Sequence, residues 1–189
     1  LPWGESTVIE SAADGLIASR AASVSVVLGH EAETLREILA GRRCRILPNP
    51  DYRQGMGSSL ARGVNALLEP GVLGPDDGIM ICLGDEPFIP TALIDRLIGE
   101  FAASGAGIVL PVHAGRRGHP TVFHRRFALE LLAAARSGGA REVIRSHPGE
   151  TREVETSAEE ILLDIDTPED YQLLRTSPPS GRPRSAPRI

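Results

Sequence analysis

Gly78-Ile79-Met80-Ile81-Cys82-Leu83-Gly84-Asp85-Glu86-Pro87 is the stretch that decides the fold of this chain. Its first six residues form a continuous apolar run, the pattern of a strand buried on both faces of a parallel sheet. Gly84 then allows close backbone approach, Asp85 sets a carboxylate at the carboxyl end of the strand, and Pro87 fixes the exit. A carboxylate in that place can hold Mg²⁺ against a substrate phosphate. An ordinary strand-to-helix turn also favours Asp and Pro, so the spacing alone leaves both readings open.

Outward from this run, short β-branched stretches alternate with helical patterns. Toward the amino end, residues 23–28 (Ser-Val-Ser-Val-Val-Leu) read as a strand and 44–47 (Cys-Arg-Ile-Leu) as another. Helical periodicity covers roughly Thr7 to Arg20, Glu31 to Ala40 and Ser58 to Leu68. Toward the carboxyl end come a helix from Pro90 or Thr91 to about Ala103 and a strand at Gly107–Leu110. An extra strand is expected at Pro120–Phe123, helices at Phe127–Arg136 and from Gly139 to Ser146, and a last short strand at Ile161–Leu163. Asp166-Thr167-Pro168-Glu169-Asp170 opens a final helix. From Thr176 onward Ser, Pro and Arg dominate, which predicts a disordered tail over 176–189. Strand–helix alternation of this kind predicts an α/β domain with a mostly parallel sheet, with ligands beyond the carboxyl ends of its strands. The chemistry is therefore expected in the loops after Leu47, Leu83 and Leu163.

Composition narrows the function classes. With 189 residues, 41% hydrophobic and 24% charged, the chain can bury a core as one domain, which excludes a wholly disordered protein. No apolar stretch approaches the ~18–20 residues of a membrane span. The opening Leu1-Pro2-Trp3-Gly4-Glu5 has neither a basic region nor an apolar core of a signal peptide. A net charge of −5 argues against a broad nucleic-acid surface. Cys44 and Cys82 are too few and too far apart for a disulfide framework or a zinc site, so two reduced thiols in a cytoplasmic protein are expected. All 20 basic side chains are Arg, so these residues supply no phosphate-binding lysine.

Three further stretches carry candidate chemistry. In Asp164-Ile165-Asp166-Thr167-Pro168-Glu169-Asp170, helix capping accounts for Thr167, Pro168 and Asp170 but not for Asp164 and Asp166. Either aspartate can complete a divalent-metal site with Asp85. In Asn49-Pro50-Asp51-Tyr52-Arg53-Gln54-Gly55-Met56-Gly57-Ser58-Ser59, a tight glycine loop leads into a helix whose free N–H groups favour an anion; a plain loop with a Ser58 cap fits equally. Gly115-Arg116-Arg117-Gly118-His119-Pro120 is either a phosphate-binding turn or a solvated one, with His119 constrained between glycine and proline. The remaining histidines show no metal-ligand spacing.

Taken in order, these motifs resemble the MobA-like nucleotidyltransferases of molybdenum-cofactor biosynthesis, the molybdenum cofactor cytidylyltransferase branch above all. Asn49 with Gly55-Met56-Gly57-Ser58-Ser59 is similar to the family's Asn…Gly-Met-x-Ser-Ser loop. Gly84-Asp85-Glu86-Pro87 is similar to its Gly-Asp-x-Pro metal motif, and Gly118-His119-Pro120 to the Gly-His-Pro segment of the cytidylyl branch. Gly139-Ala140-Arg141 and Asp164 to Tyr171 match its later signatures. The resemblance covers residues 1–175 and implies a three-layer, Rossmann-like nucleotide-diphospho-sugar transferase fold. It implies Mg²⁺ held by Asp85 and Asp166 as the catalytic metal ligands. It assigns Asn49, Gly55, Ser58, Ser59, Gly84 and Pro87 to the nucleotide, and Gly118, His119 and Pro120 to the second substrate. The implied reaction joins CMP from CTP to the molybdopterin cofactor with release of pyrophosphate, and the implied protein partner is a molybdoenzyme or its maturation factor. A guanylyltransferase using GTP, or a non-catalytic molybdopterin-binding maturation protein, are the alternatives.

One departure stands out. The family opens with a strand and a Leu-Ala-Ala-Gly-x-Ser-x-Arg-Met-Gly-x-x-Lys loop that wraps the triphosphate, and neither is found in these residues. The expectation is a domain truncated at its amino end, with the sheet's first strand absent, unpaired backbone beside the gap, and little or no catalysis by this chain alone.

Overall fold

The computed structural model describes residues 1–176. A two-residue hairpin, β1 (Pro2–Trp3) and β2 (Ser6–Thr7), opens the chain and runs into α1 (Val8–Ile17). Thr7 and Glu10 cap that helix reciprocally, each side chain bonding the other's backbone N–H. Then follow β3 (Ser25–Leu28), α2 (Ala32–Ile38), β4 (Arg45–Pro48), α3 (Met56–Leu67), β5 (Gly78–Ile81), α4 (Thr91–Ser104) and β6 (Ile108–His113). The chain continues through β7 (Arg116–Arg117), β8 (Thr121–His124), α5 (Ala128–Ala134), α6 (Ala140–Ser146), β9 (Thr151–Glu155) and α7 (Pro168–Thr176). The predicted tail lies outside the described residues except for Thr176, which closes α7.

The main sheet has five strands, with β8 between β5 and β6, and with β7 and β9 also paired to β6. Strands β5, β6 and β9 point the same way, and β3 pairs parallel with β4, so among the longer strands only β8 runs against its neighbours. Alternation along the strands makes the three layers. Ile79, Ile108 and Phe123 face α3, α5 and α6 through Val64, Leu131 and Val143. Val109 and Val122 face the other way, onto Leu93 and Leu97 of α4 and onto Ile161. Around β3 and β4, α1 and α2 bury Ala13, Leu28 and Leu39, while Val27 meets α3 at Gly63. Helix α3 thus lies against both strand groups, yet β3 pairs only with β4 and β5 only with β8 among the described residues. The domain is the expected α/β, Rossmann-like one.

Three local expectations change. First, β5 is not a strand buried on both faces within a parallel sheet. It ends at Ile81, bonds antiparallel to β8 along one edge, and buries only Ile79 fully, because Met80 and Ile81 rest against half-open packing. Second, Ile161–Leu163 forms no strand. Residues Glu159–Leu162 make a 3-10 turn that drives Ile161 into the α4 side of the core. The β6 edge that a strand there would use is already taken by β9. Third, β9 itself reads as polar (Thr-Arg-Glu-Val-Glu) and was not expected. It is an edge strand that needs only Val154 in the core, and its charged side chains pair outward, Arg152 with Glu100 and Glu153 with Arg117.

Candidate active site

The apolar run that becomes β5 leaves the sheet at Cys82, and the chain turns over Gly84 and Asp85. Asp85 is half-buried and its Oδ1 is enclosed without a hydrogen-bond partner. Burial raises its pKa above the usual carboxylate range. Its own backbone N–H counters this, and Asp166 and Asp164 add repulsion. The carbonyl of Asp85 accepts a hydrogen bond from the N–H of Ile165 at 3.2 Å, which ties the Asp164–Asp166 segment beside the turn. Sequence distance is thereby closed: Asp85, Asp164 and Asp166 share one region. Downstream, Thr167 and Asp170 cap α7 reciprocally, with Thr167 N–H to Asp170 Oδ2 at 2.9 Å and Asp170 N–H to Thr167 Oγ1 at 3.1 Å. The capping reading of those two residues therefore holds while both Asp164 and Asp166 stay exposed.

Glu86, at the variable place of the Gly-Asp-x-Pro motif, is buried at 6% exposure, with Oε2 unpartnered. Burial, then Asp85 and Asp164, push its pKa up to about 8. The neighbouring Cys82 thiol is raised to about 12, by burial and then by Glu86. The sequence signal for Glu86 was its direct succession to Asp85 at the end of an apolar run.

The Gly118-His119-Pro120 segment joins the same region. Gly118 N–H donates to the Pro111 carbonyl at 3.0 Å, and His119 N–H donates to the Ile161 carbonyl at 3.3 Å. A Cβ on Gly118 would sit 2.3 Å from the Ile161 oxygen, so this position requires glycine. Pro120 is buried after a cis peptide bond. His119 carries the third orphan, an enclosed Nδ1 with no partner. Its pKa is lowered by burial and by Arg141 of α6, against an opposing pull from Asp164. Arg116 and Arg117 are exposed, and Arg117 pairs with Glu153, so the solvated-turn reading describes them.

The Asn49–Ser59 loop is built differently. Asn49, 4% exposed, donates to Ser58 Oγ at 2.9 Å and Ser59 Oγ at 3.0 Å, while its Oδ1 accepts the Asp51 N–H at 3.0 Å. Ser58 Oγ donates onward to the Gly55 carbonyl at 2.8 Å. Gly55 has φ 100°, and α3 starts without a side-chain cap. At Gly57 a Cβ would lie 1.7 Å from the Ala135 carbonyl oxygen, so the helix start is pressed onto the end of α5. No hydrogen bond or ion pair links this loop to the Asp85 region among the described residues.

No preassembled group of three or more His, Cys, Asp or Glu side chains able to hold a metal ion occurs among the described residues. The donor chemistry nonetheless fits a hard divalent cation. Two close carboxylate segments, one with an enclosed and unpaired oxygen, suit an ion such as Mg²⁺, which keeps several waters and completes its shell with substrate phosphate. Both cysteines are free thiols, as expected. No helix among the described residues is long and apolar enough to cross a membrane.

A three-layer Rossmann-like domain with carboxylates and glycine turns gathered at one region is the build of a nucleotidyltransferase. The chain belongs to the MobA-like NTP transferase domain family, whose model matches residues 1–152. It is 27% identical over 172 residues to the molybdenum cofactor cytidylyltransferase of Escherichia coli (strain K12), covering 90% of this chain and 83% of that one. It is 29% identical over 182 residues to the nicotine blue oxidoreductase of Paenarthrobacter nicotinovorans, covering 92% and 86%. Among solved structures, Rv0371c of Mycobacterium tuberculosis H37Rv in complex with manganese superposes with a TM-score of 0.76 at 28% identity, covering 94% of this chain and 90% of that one. The relatives' names describe a transferase and an oxidoreductase, so family membership fixes the fold while the reaction has to be argued from the site.

Proposed function

We propose that this domain serves cytidylyl transfer from CTP to the terminal phosphate of the molybdopterin cofactor. The observation that supports it most is the Asp85–Ile165 backbone hydrogen bond, which brings two carboxylate motifs together beside an enclosed, unpaired Asp85 oxygen. In the reaction, an oxygen of the pterin phosphate bonds the α-phosphorus of CTP and the bond to the β-phosphate oxygen breaks, releasing pyrophosphate. Both reactants are anionic, so the protein must neutralise charge and align them. Asp85 and Asp166 hold the divalent cation, Mg²⁺ or Mn²⁺. When bound, it supplies charge neutralisation and polarises the phosphoryl oxygens.

The protein's own groups do the rest. Gly84 and Pro87 shape the turn so that nucleotide phosphate can approach the backbone. Gly55, Ser58 and Ser59 present the start of α3 to the nucleotide, with Asn49 holding the two hydroxyls in place. Gly118 and Pro120 fix His119, whose free Nδ1 meets a polar group of the second substrate. No general base is required, since the attacking phosphate is already ionised near neutral pH. The setting is cytoplasmic, and a molybdoenzyme or its maturation factor receives the product.

The test is equilibrium binding of CTP against GTP to the full chain with Mn²⁺, with pyrophosphate release followed alongside. A clear preference for CTP, roughly tenfold or about 1.4 kcal/mol, is expected; equal affinities overturn the cytidylyl assignment. Pyrophosphate release by residues 1–189 alone is expected at background, because they contain no lysine and no triphosphate-wrapping glycine loop. Cation-dependent release above background overturns that expectation.

A further inference from the structure

The chain's one tryptophan is shared by the two segments that carry the candidate carboxylates. Trp3 is 2% exposed. With Val8 and Tyr171 it forms a small apolar cluster, and Phe88, Ile165 and Leu174 pack against that cluster. The Phe88 ring meets the indole edge-on, with centroids 5.1 Å apart at 86°, and the Tyr171 ring tilts against it at 6.1 Å. The Tyr171 hydroxyl donates to the Pro2 carbonyl, so α7 is tied to the β1 strand that bears Trp3.

The placement matters because of what adjoins each partner. Phe88 is three residues beyond Asp85, and Ile165 is flanked by Asp164 and Asp166. Ile165 also donates its N–H to the Asp85 carbonyl. Bringing these acids together is electrostatically unfavourable, since Asp164 and Asp166 both repel Asp85. One backbone hydrogen bond, at 3.2 Å, and one apolar cluster join the segments despite that repulsion. Both converge on residues that cannot move without moving an acid.

We propose that Trp3 is a positioning residue, the cluster built on its indole setting the separation of Asp85 and Asp166 and so their affinity for a divalent cation. The inference rests on the reading of that pair as a metal site. Trp3, by its packing on Phe88 and Ile165, acts through the backbone of residues 85–88 and 164–166. Truncating it leaves both carboxylates in the chain but frees their spacing, which costs metal affinity as loss of a supporting residue does at other metal sites.

The test counts free Mn²⁺ by electron paramagnetic resonance over the full 189-residue chain without nucleotide. Wild type is compared with Trp3→Leu, Trp3→Phe and Phe88→Leu, each checked for its fold by circular dichroism. Trp3→Leu and Phe88→Leu are expected to weaken Mn²⁺ binding about tenfold, with Trp3→Phe recovering most of it. A purely structural role would lower the melting temperature and leave the Mn²⁺ affinity of the folded chain unchanged, and that result overturns the proposal. If Trp3→Leu does not fold, Phe88→Leu carries the same expectation and the same overturning result. Absence of Mn²⁺ binding by wild type overturns the metal reading itself, and the positioning role with it.

Discussion

Two loops of this domain carry the polar residues that suggest nucleotide chemistry, and they are satisfied in opposite ways. In the Asn49–Ser59 loop every hydrogen-bonding atom of the Asn49 amide has a partner within the loop. Around Asp85, three enclosed polar atoms have none: Asp85 Oδ1, Glu86 Oε2 and His119 Nδ1. Buried polar groups in folded proteins are nearly always paired, so three orphans in one neighbourhood need an explanation. On the proposed reading the first loop is complete in itself and presents a shaped helix start to the nucleotide, while the second keeps polar atoms open for a ligand.

The sharpest break of this contrast is Asp85→Asn. The substitution keeps shape, removes the charge and relieves the repulsion from Asp164 and Asp166. Mn²⁺ affinity is expected to fall roughly a hundredfold, since affinity for hard cations follows ligand charge. The melting temperature is expected to stay level or rise, because a half-buried carboxylate repelled by two neighbouring acids loses its charge. Calorimetric titration and a thermal melt on one preparation check both. Retained Mn²⁺ affinity would remove Asp85 from the metal site.

How far the sequence foretold this arrangement depended on whether local signals sufficed. The Gly84–Pro87 turn was legible because an apolar run ending in Gly-Asp is a local pattern. Asp164 and Asp166 were legible by elimination, capping having explained their neighbours, but their approach to Asp85 depends on a backbone bond across 80 positions of chain. Glu86 and Trp3 were missed as contributors for the same reason: burial and shared packing are tertiary facts. The Ile161 segment misled because an apolar triplet reads alike whether it pairs as a strand or tucks into a core as a 3-10 turn. β9 escaped because edge strands need few apolar residues, and Val154 alone gives no period. Asn49 was noticed for nucleotide contact, while its observed bonds all go to its own loop.

Asn49→Ala sharpens the comparison from the other side. It removes the amide that donates to both serine hydroxyls and accepts the Asp51 N–H, in a part-buried corner where Ser58 keeps only its bond to the Gly55 carbonyl. A loss of about 2 kcal/mol in unfolding free energy is expected, with Mn²⁺ affinity in the absence of nucleotide unchanged. Chemical denaturation and the same Mn²⁺ titration measure the two effects. A parallel loss of Mn²⁺ affinity would join the two loops into one unit and dissolve the distinction.

The smallest expected effect lies in the pH dependence of the chain without divalent cation, through Glu86. Its folded pKa stands at about 8 against an ordinary value near 4.5, so between those limits the folded chain holds a proton that the unfolded chain has released. Stability must then fall as pH rises through that window, at up to about 1.4 kcal/mol per pH unit for one fully differing proton. Its cause is burial first, then the charges of Asp85 and Asp164. Glu86→Gln keeps a neutral side chain at every pH and is expected to flatten this slope, leaving the variant about 1 kcal/mol less sensitive between pH 6 and 7. Urea unfolding in the presence of a chelator, at those two pH values, compares the variant with wild type. Equal slopes would place an ionised Glu86 in the folded chain, and the contrast between a self-satisfied loop and an incomplete one would then rest on Asp85 and His119 alone.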